Sequence, residues 1–177
     1  MPADETRGGG DRRGRRGHAG RPAAEHTVPC YDRACRLLGL RPHFRAELTA
    51  KLARRGYPRP EIEQALERLA REGWLDDAAA ARGLVASRLA RGAEGRPRLR
   101  AELERRGAPP DAVAAALDEL PEDDLPAARE AARRWHGKSA AALARHLARK
   151  GFSRRAIFAV LKEHPDLAAE GADPDLP

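Results

Sequence analysis

The chain is short of aromatic side chains: Phe, Trp and Tyr make up 4% of its 177 residues, whereas hydrophobic residues in total reach 41%. β-Sheets favour β-branched and aromatic residues, so a chain rich in Ala and Leu instead points to closely packed helices. The two cysteines, Cys30 and Cys35, stand five apart on an expected helix. Their rise alone is about 7.5 Å, too far for a disulfide within one helix. With no apolar leader at the N-terminus, two reduced thiols and a cytoplasmic setting are expected. The longest apolar runs fall far below the roughly 18 residues a membrane-spanning helix needs.

Catalytic vocabulary is equally sparse. The three serines, Ser87, Ser139 and Ser153, lie outside any G-x-S-x-G context. The six histidines fall in six different contexts, and none is paired as H-x3-H. The glycine groups at Gly8–Gly10 and Gly92…Gly95 have neither a preceding strand nor the G-K-[ST] of a phosphate loop. Asp76-Asp77 and Glu122-Asp123-Asp124 stand where helices should begin, and carboxylates there cap free N–H groups. The expectation is a protein that acts by binding, with no enzymatic activity, cofactor or metal.

What is present is charge. Residues 30–164 hold 28 basic and 19 acidic side chains, a net charge of +9. A basic body suits a polyanionic partner, or a partner already bound to one. Residues 1–29 carry six arginines among scattered glycines, and residues 165–177 carry four acids and no base. Neither tail has a hydrophobic period, so both are expected to be disordered.

Between the tails an internal repeat decides the fold class. LTAKLARRGYPRPEIEQAL (48–66), LRAELERRGAPPDAVAAAL (99–117) and LARHLARKGFSRRAIFAVL (143–161) align without gaps. Leucines four apart (Leu48 and Leu52, Leu99 and Leu103, Leu143 and Leu147) mark one face of a helix. A basic pair next opposes the negative end of the helix dipole, and Gly56, Gly107 or Gly151 closes the helix. Pro or Ser then opens a second helix, whose buried face is set by Ile62 and Leu66, Val113 and Leu117, or Ile157 and Leu161. A further helix precedes each pair, at about 30–40, 77–91 and 123–136. The reading is all-α: three tandem three-helix repeats, at 30–75, 76–121 and 122–164, forming an elongated, curved array. Trp74 and Trp135 are expected to fill cores.

The spacing within each repeat is similar to that of a DNA-binding helix-turn-helix. That motif packs its two helices through a small residue four before the glycine, where Leu52, Leu103 and Leu147 stand here. Recognition helices in a major groove are therefore not expected. The recurring basic pairs Arg54-Arg55, Arg105-Arg106 and Arg149-Lys150 serve helix ends and solubility on one reading. On the other they form one charged edge, thickened by Arg96, Arg98 and Arg100 in the second repeat and by Arg145, Arg154 and Arg155 in the third. The third repeat, where these cations crowd, is expected to matter most for binding.

Three stretches together resemble RecX, the bacterial regulator of the RecA recombinase. They are Gly73-Trp74-Leu75-Asp76-Asp77; Gly95-Arg96-Pro97-Arg98-Leu99-Arg100-Ala101-Glu102-Leu103 with its following Arg-Arg-Gly; and Leu147-Ala148-Arg149-Lys150-Gly151-Phe152-Ser153. The resemblance runs from about residue 31 to 163 and rests on their order and spacing. It implies a modular helical protein, here taken as a monomer, that docks on the recombinase–single-stranded-DNA filament and touches the strand directly or through it. It further implies limited filament growth and lowered ATPase and strand-exchange activity, in homologous recombination and DNA repair. Ala78-Ala79-Ala80-Ala81 stands where family members often carry an aromatic, so this helix either meets the filament differently or packs closer. The alternative function is a sequence-independent nucleic-acid-binding helical protein.

Overall fold

A computed structural model describes residues 27–137 and 139–169. Among these the chain is helical without strands: α1 (Cys30–Leu38), α2 (Arg45–Ala53), α3 (Arg59–Arg71), α4 (Asp77–Arg91), α5 (Arg96–Arg105), α6 (Pro110–Asp118), α7 (Leu125–Arg133), α8 (Ala140–Arg149), α9 (Arg154–Lys162) and the single turn α10 (Asp166–Ala169). The helices pack in consecutive threes, α1–α3, α4–α6 and α7–α9, with the main helix–helix contacts inside each triplet. Each triplet has its own apolar cluster, built around Leu48, Leu52, Ile62 and Leu66 in the first. Leu99, Leu103, Val113 and Leu117 take these places in the second, and Leu143, Leu147, Ala156 and Val160 in the third. Leu52, Leu103 and Leu147 are wholly buried, which fills the site a helix-turn-helix would keep small.

The third core departs from the expected register. Ile157 and Leu161 are only half-buried, and Ala156 and Val160, one position earlier, take the inner face of α9. Small residues at the inner positions let α9 lie close to α7, whose buried face is Ala128, Ala131 and Ala132. The same closeness answers the alanine run at 78–81, since Ala80 and Ala81 are buried in the cluster shared by α4 and α6.

Both compositional tails lose residues to the folded body. The Tyr57 hydroxyl donates to the Val28 carbonyl at 2.7 Å, so the chain is already packed two residues before α1. At the other end Leu167, on α10, packs against the third cluster, which gives an otherwise polar segment one apolar anchor. Residues 1–26 and 170–177, the rest of the expected tails, lie outside the described residues.

The acidic helix starts are used in two ways. The Asp76 carboxylate caps α4 by accepting from the Ala79 N–H at 2.9 Å. Asp77 instead accepts from the Arg45 N–H at 2.8 Å, so it caps α2 of the preceding triplet. Asp124 accepts from the N–H and hydroxyl of Ser153, at 2.6 and 2.7 Å, tying the start of α7 to the start of α9.

Successive triplets meet at one repeated joint. The C-terminal end of α5 abuts the N-terminal end of α2, and the end of α8 likewise abuts the start of α5. At the first joint the Arg106 guanidinium donates to the Pro42 carbonyl at 3.0 Å and to the Glu47 carboxylate at 3.1 Å. At the second, Lys150, its counterpart in the repeat, donates to the Ala93 carbonyl at 3.2 Å. Pro42 and Ala93 also correspond, each standing two residues before a helix N-cap. Gly107 and Gly151 follow with φ of 82° and 79°, which a glycine adopts without strain. Both also lie close against the neighbouring triplet. A Cβ on Gly107 would meet the Ala46 Cβ at 3.0 Å, and one on Gly151 would meet the Arg98 Cβ at 2.7 Å. The Gly95 N–H completes the second joint by donating to the Lys150 carbonyl at 2.8 Å. At the first joint the matching position is Phe44, whose buried ring belongs to the second core and so crosses the expected repeat boundary.

Arg105 and Arg106 therefore predict opposite mutational outcomes. Arg106→Ala leaves Glu47, itself only 16% exposed, short of one cationic partner and should cost about 2 kcal/mol. Arg105 pairs only with Glu102 on its own helix, so Arg105→Ala should leave thermal melting unchanged. Equal melting temperatures for the two variants would remove Arg106 from the joint.

Candidate nucleic-acid interface

The joint divides the basic residues into those spent on structure and those left over. Arg106 and Lys150 are engaged as described, so the basic pairs do not form one free edge. Arg98 donates to the Arg149 carbonyl at 2.7 Å, neutralising the exposed end of α8, and lies 3.4 Å from Glu94. Arg96 reaches the Leu120 carbonyl at 3.1 Å and Asp118 at 3.4 Å, clamping the start of α5 to the end of α6. Arg105 pairs with Glu102 at 2.7 Å, and Arg55 donates to the Lys51 carbonyl at 3.0 Å.

Of the basic candidates named from the sequence, Arg54, Arg145, Arg149, Arg154 and Arg155 have side chains that make no ion pair or hydrogen bond among the described residues, and all five are exposed. Four of the five lie in the third triplet. Arg145 and Arg149 are one turn apart on α8, and Arg154 and Arg155 open α9. Two arginines at the positive end of a helix dipole oppose rather than complement it. Local structure does not account for their place there.

Family models meet the chain at the same helices. The description "RecX, first three-helix domain" matches residues 30–69, and "RecX, second three-helix domain" matches residues 76–117. A Regulatory protein RecX from Thermobifida fusca is 38% identical over 175 residues, 93% of this chain and 94% of that protein. Another from Halorhodospira halophila is 36% identical over 151 residues, 81% of this chain and 88% of its own length. The chain belongs to the RecX family. Two solved RecX structures share the fold. The one from Lactobacillus salivarius has a TM-score of 0.62 at 20% identity, covering 76% of this chain and 93% of its own. A second has a TM-score of 0.63 at 22% identity, covering 76% of this chain and 71% of its own.

The RecX fold leaves two large rings in solvent here. Trp74, expected to fill a core, is 69% exposed, and Phe158 is 65% exposed. Trp135 does lie against the third cluster, partly buried. Trp74 follows Gly73, whose φ of 77° turns the chain out of α3, and Leu75 takes the core place beside it. Trp74 helps line a cleft of about 610 Å³ with Tyr31, Leu38, His43, Asp76 and Ala80, between the first and second triplets. Phe158 could have been found from the repeat itself, because its aligned residues Glu63 and Ala114 are both exposed. A large ring at a position that the other two repeats give to solvent is the signal. Among the described residues, no group of three or more His, Cys, Asp or Glu could hold a metal ion, and no helix is long and apolar enough to cross a membrane.

At the floor of the cleft His43 is the one buried polar or charged residue among those described, 2% exposed. Its Nδ1 lies 2.8 Å from the Arg41 carbonyl and its Nε2 2.7 Å from the Lys51 ammonium. An ammonium can only donate, so Nε2 accepts and Nδ1 carries the proton, which makes the ring neutral. Burial first, then the charges of Arg41 and Lys51, hold its pKa below the ordinary histidine value, against the Arg41 carbonyl and Glu47, which favour the proton. The unfolded chain therefore takes up a proton at higher pH than the folded one. Stability from this site is complete above the ordinary histidine range and is lost as pH falls through it. Melting temperature should drop on acidification from pH about 7.5 to about 5.5. His43→Gln should flatten that dependence without abolishing it, because His146 is shifted the same way by burial and by Lys150 and Arg149. An unchanged slope in the variant would show that folding leaves the His43 pKa unshifted.

Proposed function

We propose that the chain modulates a RecA-type recombinase by binding its filament on single-stranded DNA, restraining filament growth, ATP hydrolysis and strand exchange. Family membership supplies the regulatory role. The observation that carries the rest is the set of unpaired arginines in the third triplet, set beside the paired ones in the second. A cation held in an internal ion pair has little charge left to offer a partner, whereas Arg145, Arg149, Arg154 and Arg155 offer all of theirs. A filament that exposes phosphates and carboxylates at repeated intervals suits such a set, since several weak contacts add along a shared lattice. The reading needs no chemistry from this chain: it acts on an enzyme and performs no hydrolysis.

The test adds purified protein to a recombinase in DNA-dependent ATPase and strand-exchange assays. Both activities should fall with added protein. Changing Arg145, Arg149, Arg154 and Arg155 together to Glu should abolish the effect with helix content retained. Lys150 stays untouched because it holds a joint. Binding of the wild type should weaken steeply as salt rises, as expected when phosphate contacts release counterions. Untouched recombinase activities at stoichiometric excess would defeat the proposal. Equal affinity for bare strand and filament would favour the sequence-independent nucleic-acid-binding alternative.

A further inference from the structure

The outer face of α9 differs in kind from the matching faces of α3 and α6. With Ala156 and Val160 turned inward, Phe158 stands on the opposite side of the helix. Arg155 lies three residues before it, Arg154 four before and Lys162 four after, all spacings that place side chains on one helix surface. In the first repeat the same four places hold Arg59, Pro60, Glu63 and Glu67. In the second they hold Pro110, Asp111, Ala114 and Asp118. A face that is net acidic in two repeats is thus wholly basic in the third, with an aromatic ring at its centre. Like Arg154 and Arg155, Lys162 has no partner among the described residues. Internal packing explains neither the ring nor the cations.

We infer that Phe158 is a stacking platform for a base of single-stranded nucleic acid, with Arg154, Arg155 and Lys162 holding the phosphates on either side. Exposed rings interleaved with cations are how sequence-tolerant single-strand binding is built, because every base offers a π-face and every nucleotide a phosphate. A duplex is a poor match, since its bases are already stacked on each other. An apolar protein partner is also a poor match, because three unpaired cations would be buried with the ring. Trp74, the other exposed ring, does not share the arrangement: Asp76 lines its cleft, the wrong sign for phosphate. The inference deepens the proposed function by assigning the strand to α9, and it rests on direct contact between this chain and DNA.

Full-length protein without recombinase provides the test, by fluorescence anisotropy with a labelled oligothymidylate and an abasic strand of equal length. The abasic strand keeps every phosphate and loses every base. Wild type should bind oligothymidylate more tightly than the abasic strand. Phe158→Ala should weaken oligothymidylate binding about tenfold and leave the abasic strand unaffected. Phe158→Trp should keep the wild-type preference. Phe158→Leu, apolar but without a π-face, should behave as Phe158→Ala. Because the ring is 65% exposed, melting should not change in any of the three. Arg154→Glu with Arg155→Glu should weaken binding of both strands. The assignment is overturned if Phe158→Ala binds oligothymidylate as wild type does, if Phe158→Leu keeps full affinity, or if wild type shows no preference for the base-bearing strand. Wild type that lowers recombinase ATPase while failing this test would overturn the stacking site and leave the recombinase proposal standing. The reverse pattern would do the opposite.

Discussion

The arrangement depends on a glycine held against the helix of the previous triplet. At Gly107 and Gly151 the chain needs a positive φ to leave the helix; a side chain would also crowd Ala46 at Gly107 and clash with Arg98 at Gly151. Any other residue would meet backbone strain at both places and, at Gly151, a clash with Arg98 as well. Because the helix ends where the neighbour begins, carbonyls at the C-terminal end of one helix face N–H groups at the start of another. The joint thereby brings opposite ends of two helix dipoles together. The Gly95 N–H donating to the Lys150 carbonyl is the most direct expression of this.

That geometry settles what each basic residue can do. In the motif Arg-Arg/Lys-Gly, the second cation lies next to the glycine and so next to the joint. Arg106 and Lys150 are drawn into it, and Arg106 also sits over the Phe44 ring at 5.4 Å. The first cation of each pair is turned away, and it pairs locally or stays free according to what stands one turn earlier. Arg105 has Glu102 for this purpose. Arg149, with no acid on its helix, stays free. The concentration of unpaired charge in the third triplet follows from a scarcity of carboxylates: α8 and α9 contain none.

The two joints are equivalent in position without being identical in chemistry. The first buries a ring, Phe44, and gathers Arg41, Lys51 and Arg106 around Glu47. The second replaces the ring with Gly95 and relies on backbone hydrogen bonding with Arg98 laid across the end of α8. The first joint is also where His43 lies buried and where Asp77 reaches back to cap α2. A charged cluster with a neutral histidine beneath it gives this junction a pH dependence, whereas the second depends on charge chiefly through Arg98 and Lys150, with His146 one turn before Lys150.

Much of this was legible in the residues. Leucines four apart, a basic pair and a glycine recur at fixed offsets, and those offsets are the helical period itself, so class, helix positions and most of the core could be read locally. Local pattern also marked Asp76 as a cap. It could not tell Arg105 from Arg106, because neighbours on one helix end look alike until another triplet is placed against one of them. Nor could it move Trp74 out of the core or show Asp77 capping a helix 32 residues earlier, since both depend on where α3 releases the chain. The inner face of α9 was missed for a related reason. Ile157 and Leu161 keep the apolar period, but the closeness of α7 selects the smaller Ala156 and Val160. The sequence determined which surfaces are apolar and where cations gather. Only the tertiary structure decided which cations remain unspent, because charge is consumed by partners that lie far away in the chain.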